Sequence, residues 1–183
     1  MRSGIVGRAY PTYGGSMTPA ELLTDAFERI VEGGRAVVAD LDDDQLAHRP
    51  SPDANSIAWL VWHLARVQDD HVADVAGTGQ VWTDEGFRER FDLPFEAGDI
   101  GYGHSSDEVG RVRAGADLLA AYLSAVHART VAHLAGLSEA DLDRVVDERW
   151  DPPVTLGARL VSVVNDDAQH LGQAAYVRGL LGA

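Results

Sequence analysis

The 183-residue chain contains no cysteine. That excludes a disulfide framework, a thiolate metal site and a cysteine nucleophile, so any sulfur chemistry must use a thiol brought in by a substrate. Positive charge is also scarce: 15 Lys and Arg stand against 29 Asp and Glu, a formal net charge of −14 with a pI near 4.7. The summed field of such a chain repels polyanions and argues against nucleic acid or an anionic membrane as partner. No apolar segment of secretory-signal type opens the chain, and no apolar run reaches the ~18 residues of a membrane span, so the expected location is the cytoplasm. Internal repeats, low-complexity tracts and the G-x-x-x-x-G-K-[ST] phosphate loop are all missing. What remains, 45% hydrophobic and 24% charged, is the composition of one globular domain with a substantial core.

Residues 1–17 carry Gly, Pro and Tyr without periodicity and read as an arm, loose or docked on a partner; residues 18–183 read as the domain. Thr18-Pro19-Ala20-Glu21 has the form of a capping box with proline in the first turn. It opens a helix expected to reach Val38, with Leu22, Leu23, Ala26, Phe27, Ile30 and Val31 at spacings of three and four and Gly33-Gly34 weakening the last turns. After a polar connection from Asp42 to Pro52, Asn55 or Ser56 caps a second helix expected to end at Ala76, before Gly77. A glycine-rich, aromatic linker spans residues 77–105, and a long loop of this kind inside a compact domain is often functional. Ser105-Ser106-Asp107-Glu108 opens a third helix expected to continue to Leu134, and residues 138–146 predict a short helix or extended turn. Asp151-Pro152-Pro153 blocks helix. Thr155 then caps a last helix over 156–181. Four long helices without convincing strands predict an all-α four-helix bundle able to host a metal between facing helices.

Two histidines stand out among the seven. His63 lies within a strongly apolar helical segment (Ile57 to Trp62), and His170 is preceded at four and three residues by Asp166 and Asp167. Residues four apart share one helical face, so Asp166 and His170 can converge on one point while His63 arrives from another helix. Two imidazoles and one carboxylate suit a divalent transition metal and leave positions open for water or substrate. Spacing does not decide between Asp166 and Asp167 as the carboxylate. The competing account makes His63 and His170 hydrogen-bonded core residues and the aspartates a solvated acidic face. Asp70, seven residues after His63 and nearly in line with it, is a candidate acceptor for an imidazole N–H. Arg66, one turn from His63, reads as a solvated charge, with the alternative that an arginine beside a metal pairs with a substrate carboxylate.

On Leu60-Val61-Trp62-His63-Leu64, the Asp166/His170 pair and the following Gly172-Gln173-Ala174-Ala175-Tyr176-Val177-Arg178-Gly179, the chain resembles the DinB-like superfamily, in particular the actinobacterial branch containing mycothiol-dependent maleylpyruvate isomerase. The resemblance covers nearly everything after residue 17. It implies a four-helix bundle of DinB-like type, often dimeric, with a metal held by three residues. Those are commonly three histidines, or two histidines and a glutamate in the isomerase, where this chain has an aspartate, one methylene shorter. No counterpart of the isomerase's additional C-terminal domain follows the last helix, which implies a substrate other than maleylpyruvate. The function implied is that of a metal-dependent thiol S-transferase. It would use zinc, or else nickel or iron, with a low-molecular-weight thiol such as mycothiol and a small electrophile. His63, Asp166 and His170 would be the ligands and Asp70 or Asp167 would orient groups or accept protons. Trp82, Tyr102 and His104 of the 77–105 loop would shape the pocket. Two alternatives are a non-haem iron enzyme that activates oxygen and a non-catalytic, metal-binding stress-response dimer.

Overall fold

The computed structural model describes residues 17–182; the expected arm lies, apart from Met17, outside the described residues. Four long helices dominate: α1 (Pro19–Val38), α3 (Ile57–Ala76), α7 (Ala116–Leu134) and α8 (Leu156–Leu181), with α2 (Asp43–Ala47), α4 (Val81–Asp84), α5 (Phe87–Phe91) and α6 (Ser106–Arg111) as short pieces between them. The all-α expectation holds. Among the described residues no helix is long and apolar enough to cross a membrane.

The helix starts follow from local chemistry. Thr18 accepts from the Glu21 N–H while Glu21 reaches back to the Thr18 N–H, which completes the capping box of α1. Ser56 caps α3, Thr155 caps α8, and Gly77 ends α3 in the left-handed region at φ 67°. The two glycines near the end of α1 have a packing reason. A Cβ at Gly33 would stand 2.7 Å from Leu171 of α8, and one at Gly34 would overlap Leu123 of α7. They cost helix propensity and let two neighbouring helices approach.

α3 is the central helix. Every residue from Ile57 to Asp69 is buried, and its most extensive packing is against α8. A helix closed in on all sides leaves no face for a solvated charge, so the expectation for Arg66 is corrected: its side chain is fully buried. Of the stripe expected on α1, Phe27, Ile30 and Val31 are buried while Leu22 is 60% exposed.

Four connections differ from the expectation. The polar stretch from Asp42 to Pro52 contains α2, whose Leu46 is buried in the core. The helix foreseen from Ser105 to Leu134 is two helices, because Gly110 and Gly115 are poor helix formers and the chain turns extended at Val112, whose side chain enters the core. The 77–105 linker contains α4 and α5, and Trp82, Phe87 and Phe91 are buried against Tyr122 of α7. Residues Glu139–Asp143 form a 3-10 turn that leads into a two-stranded antiparallel hairpin, β1 (Val145–Asp147) with β2 (Val154–Thr155). The hairpin was not foreseen. Asp147 ties it down by accepting from Arg149 and, at 3.0 Å, from Arg159 of α8.

Candidate metal centre

The pairing of α3 with α8 brings His63, Asp166 and His170 together. One donor atom from each lies within 4.8 Å of the others. The rings of His63 and His170 meet edge to face at 4.6 Å, and Trp59, one turn before His63, stacks on the His63 ring at 4.5 Å. The His63 side chain is 5% exposed, that of His170 17% and that of Asp166 37%. His63 therefore forms the floor of the site, and the approach from solvent is on the Asp166 side.

Hydrogen bonding assigns the donor atoms. His63 Nδ1 lies against the carbonyl of Ile100, and His170 Nδ1 donates to the carbonyl of Asp166 at 2.9 Å. A carbonyl only accepts, so each Nδ1 carries a proton and Nε2 is the nitrogen that each ring, when neutral, would offer a metal. Asp166 Oδ2 is 3.3 Å from His170 Nδ1, whose proton is already engaged, and this buried oxygen has no hydrogen bond of its own. One donor atom from each of the three residues within 4.8 Å of the others, with Asp166 Oδ2 lacking a hydrogen bond, is a donor set that fits zinc, nickel or iron, with positions left open.

Electrostatics favour a neutral His63 and an ionised Asp166, whereas the pairing of His170 with Asp166 favours the imidazolium, whose Nε2 proton a metal would displace. Burial holds His63 below the usual histidine value. Burial pushes His170 the same way, but the Asp166 carboxylate and carbonyl outweigh it and the net shift is upward. For Asp166 burial acts upward and is outweighed by His170, so the carboxyl is held low and ionised.

Asp167 takes no part in the cluster. One residue on, about 100° round the helix, it joins the core stripe of Leu160, Val163 and Ala174; it is fully buried, with neither oxygen hydrogen-bonded. Burial, with the charge of Asp166 adding, raises its carboxyl well above the ordinary range. The structure thus selects Asp166 of the two aspartates that spacing left open.

Asp70 is not the acceptor for His63. Its carboxylate accepts from Gln80 Nε2 at 2.8 Å and lies 3.8 Å from His71, while Ile100 takes the His63 proton. Tyr102, expected to line the pocket, is 91% exposed. Trp82 is a core residue under Arg66, whose guanidinium stands 4.9 Å from the ring centre, and its ring contacts are with Trp62, Phe91 and Tyr122 rather than with either site histidine.

His104 does stand beside the site, packed on Trp59, Trp62 and Phe95. Its Nδ1 accepts from the Trp59 indole N–H at 3.2 Å, so its Nε2 carries the proton and donates to Asp99, 3.1 Å from both oxygens. Both nitrogens are occupied, which makes His104 part of the wall and leaves it no lone pair for a metal. Ile100, Gly101 and Asp99 went unrecognised in the sequence, and Arg66 was read for a different role. A signal existed only for Arg66, a lone charge in the apolar run from Ile57 to Val67.

The DinB superfamily profile matches residues 26–174. The crystal structure of a conserved protein from Enterococcus faecalis is 33% identical, superposes with a TM-score of 0.84, and is matched over 92% of this chain and 100% of its own. No curated protein matches the chain. Profile and superposition agree, and the chain belongs to the DinB superfamily.

Proposed function

We propose that this protein is a metal-dependent transferase that joins a low-molecular-weight thiol, of the mycothiol type, to a small electrophile. The observation that carries the proposal is the His63, Asp166, His170 cluster, with both Nδ1 protons on carbonyls and an Asp166 carboxylate oxygen that has no hydrogen bond. DinB-like folds often bind a divalent metal. The chain has no cysteine, so a sulfur nucleophile would be a second substrate.

His63, Asp166 and His170 would hold a divalent ion, and the Lewis acidity it would supply lowers the pKa of a thiol into the neutral range. The protein's own part is positional. His63 presents a neutral Nε2, His170 would present its Nε2 once metal displaces the proton there, Asp166 contributes a fixed negative charge, and Trp59 and His104 close the inner side against water. The half-exposed Asp166 side admits the thiol and lets its proton leave to solvent. Asp70 accepts from Gln80, and Asp167 is sealed in the core, so the reading assigns the proton's exit to solvent and to neither aspartate.

The test is thiol consumption by zinc-loaded protein with mycothiol, glutathione or coenzyme A and an aryl halide or epoxide. The expected result is a saturable rate above the uncatalysed reaction, abolished by a chelator and restored by zinc. A fully metal-loaded protein with no such rate contradicts the proposal. One observation favours a second reading: two histidines and one carboxylate with open positions is also the donor set of non-haem iron oxygenases. Oxygen uptake by iron-loaded protein would support it.

A further inference from the structure

Residues 97–104 lie over α3 as a strap, and Arg66 fastens it from beneath. Its Nε donates to the Asp99 carbonyl at 3.1 Å and its Nη2 to the Ala97 carbonyl at 3.2 Å, while Nη1 donates to Gln80 Oε1 at 2.9 Å and Tyr122 Oη at 3.3 Å. Within the strap the Asp99 carboxylate accepts from the Gly101 N–H at 2.7 Å and holds His104, which is anchored in turn to Trp59. Between these fastenings sits Ile100, whose carbonyl meets His63 Nδ1.

A fully buried guanidinium bears a large desolvation cost, and an apolar side chain of similar volume would often serve the core as well or better. What an apolar side chain cannot do is grip two carbonyls, and the planar fork of arginine is built for that. Arg66 follows His63 by three residues, so both side chains rise from the same side of α3 towards the strap.

We propose that Arg66 is a positioning residue for the metal centre: by fixing the carbonyls of Ala97 and Asp99 it sets the Ile100 carbonyl on His63 Nδ1, which keeps the proton there and the Nε2 lone pair in the site. The inference rests on reading His63 as a metal ligand. It makes Arg66 part of the site although it touches neither metal nor substrate. Partners that orient a ligating imidazole in this way typically change metal affinity 10–100-fold when removed.

Three variants test it: Arg66→Gln, Arg66→Lys and His104→Phe, the last releasing the strap from its other end. Two quantities are read in protein shown to be folded by circular dichroism. They are zinc affinity by competition with a chromophoric chelator, and the nitrogen-15 shifts of the His63 ring in metal-free protein. In Arg66→Gln we expect zinc binding weakened about 10–100-fold and a His63 signal moved from the Nδ1-protonated form towards a mixture of tautomers. Arg66→Lys keeps charge and stem but cannot grip both carbonyls, and should fall between that variant and wild type; His104→Phe should move both readouts in the same direction. A merely structural arginine would lower the unfolding midpoint and leave both readouts unchanged in the folded fraction, which would overturn the proposal. If Arg66→Gln does not fold, Arg66→Lys decides by the same criteria. A wild type that binds no zinc refutes the metal reading alone, and the tautomer comparison in metal-free protein still decides the role of Arg66.

Discussion

Asp69→Ala lowers the thermal unfolding midpoint by about 10 °C, the largest stability loss expected from a single polar substitution in this fold. Asp69 is 3% exposed, and each of its oxygens is engaged. Oδ1 accepts from the Val81 N–H at 2.8 Å; Oδ2 accepts from the Trp82 N–H at 2.8 Å and the Tyr122 hydroxyl at 2.9 Å and lies 3.6 Å from the Arg66 guanidinium. The carboxylate thus serves the first N–H groups of α4 and balances a buried cation. Burial still pulls its pKa upward against those hydrogen bonds, a sign of how little water reaches it. Alanine leaves Arg66 without a counter-charge and two amides without acceptors, at a cost of roughly 3–5 kcal/mol by analogy with broken buried pairs. That is a large share of the 5–15 kcal/mol typical of a native domain, and at about 2–4 °C per kcal/mol it gives the shift stated. Asp69→Asn keeps one acceptor oxygen and should lose less. Thermal unfolding followed by circular dichroism checks both, and an unchanged midpoint in Asp69→Ala would show that the network does not carry the load assigned to it.

Gly101→Ala weakens zinc binding by about tenfold or more, while Gly103→Ala leaves it near wild type. Both glycines sit in the left-handed region, at φ +88° and +76°, where an alanine pays local strain on the order of 1–3 kcal/mol. They differ in what a Cβ would meet. At Gly103 nothing lies within 4 Å, whereas at Gly101 the new atom would stand 2.8 Å from His63 Nδ1, 2.9 Å from the Trp62 ring and 3.3 Å from the Trp59 ring. Those rings are buried and cannot retreat, so the strap must move and take the Ile100 carbonyl off His63. The pair of variants separates backbone strain from loss of the contact, with chelator competition as the readout. Equal affinities for the two would mean that strap and imidazole are not coupled.

Much of the fold was legible because its boundaries are written in short-range chemistry. The capping serines and threonines at residues 18, 56, 105 and 155 and the glycine at 77 mark helix ends in sequence and structure alike. The convergence of His63, Asp166 and His170 was legible for a related reason, since an i, i+4 pair fixes a common face before the tertiary structure is known. The choice of Asp166 over Asp167 was not, because it depends on which face α8 turns to α3. Trp82, Tyr102 and His104 were grouped by their presence in one loop, but the short helix α4 sends Trp82 into the core, and the turn between the left-handed Gly101 and Gly103 holds Tyr102 in solvent. The strap was invisible because its contacts use main-chain carbonyls of Ala97, Asp99 and Ile100, which any residue type would supply. The break at residues 112–115 and the hairpin after Asp143 were missed because isolated glycines and two-residue strands carry little periodic signal.

The most direct test of the metal centre is elemental analysis of untagged protein dialysed against a weak chelator, comparing wild type with His63→Ala and His170→Ala. The account predicts about one divalent ion per chain in the wild type and close to none in either variant, with both variants still folded. A variant that kept full metal stoichiometry, or a wild type that took up no metal when offered zinc, nickel or iron, would contradict it.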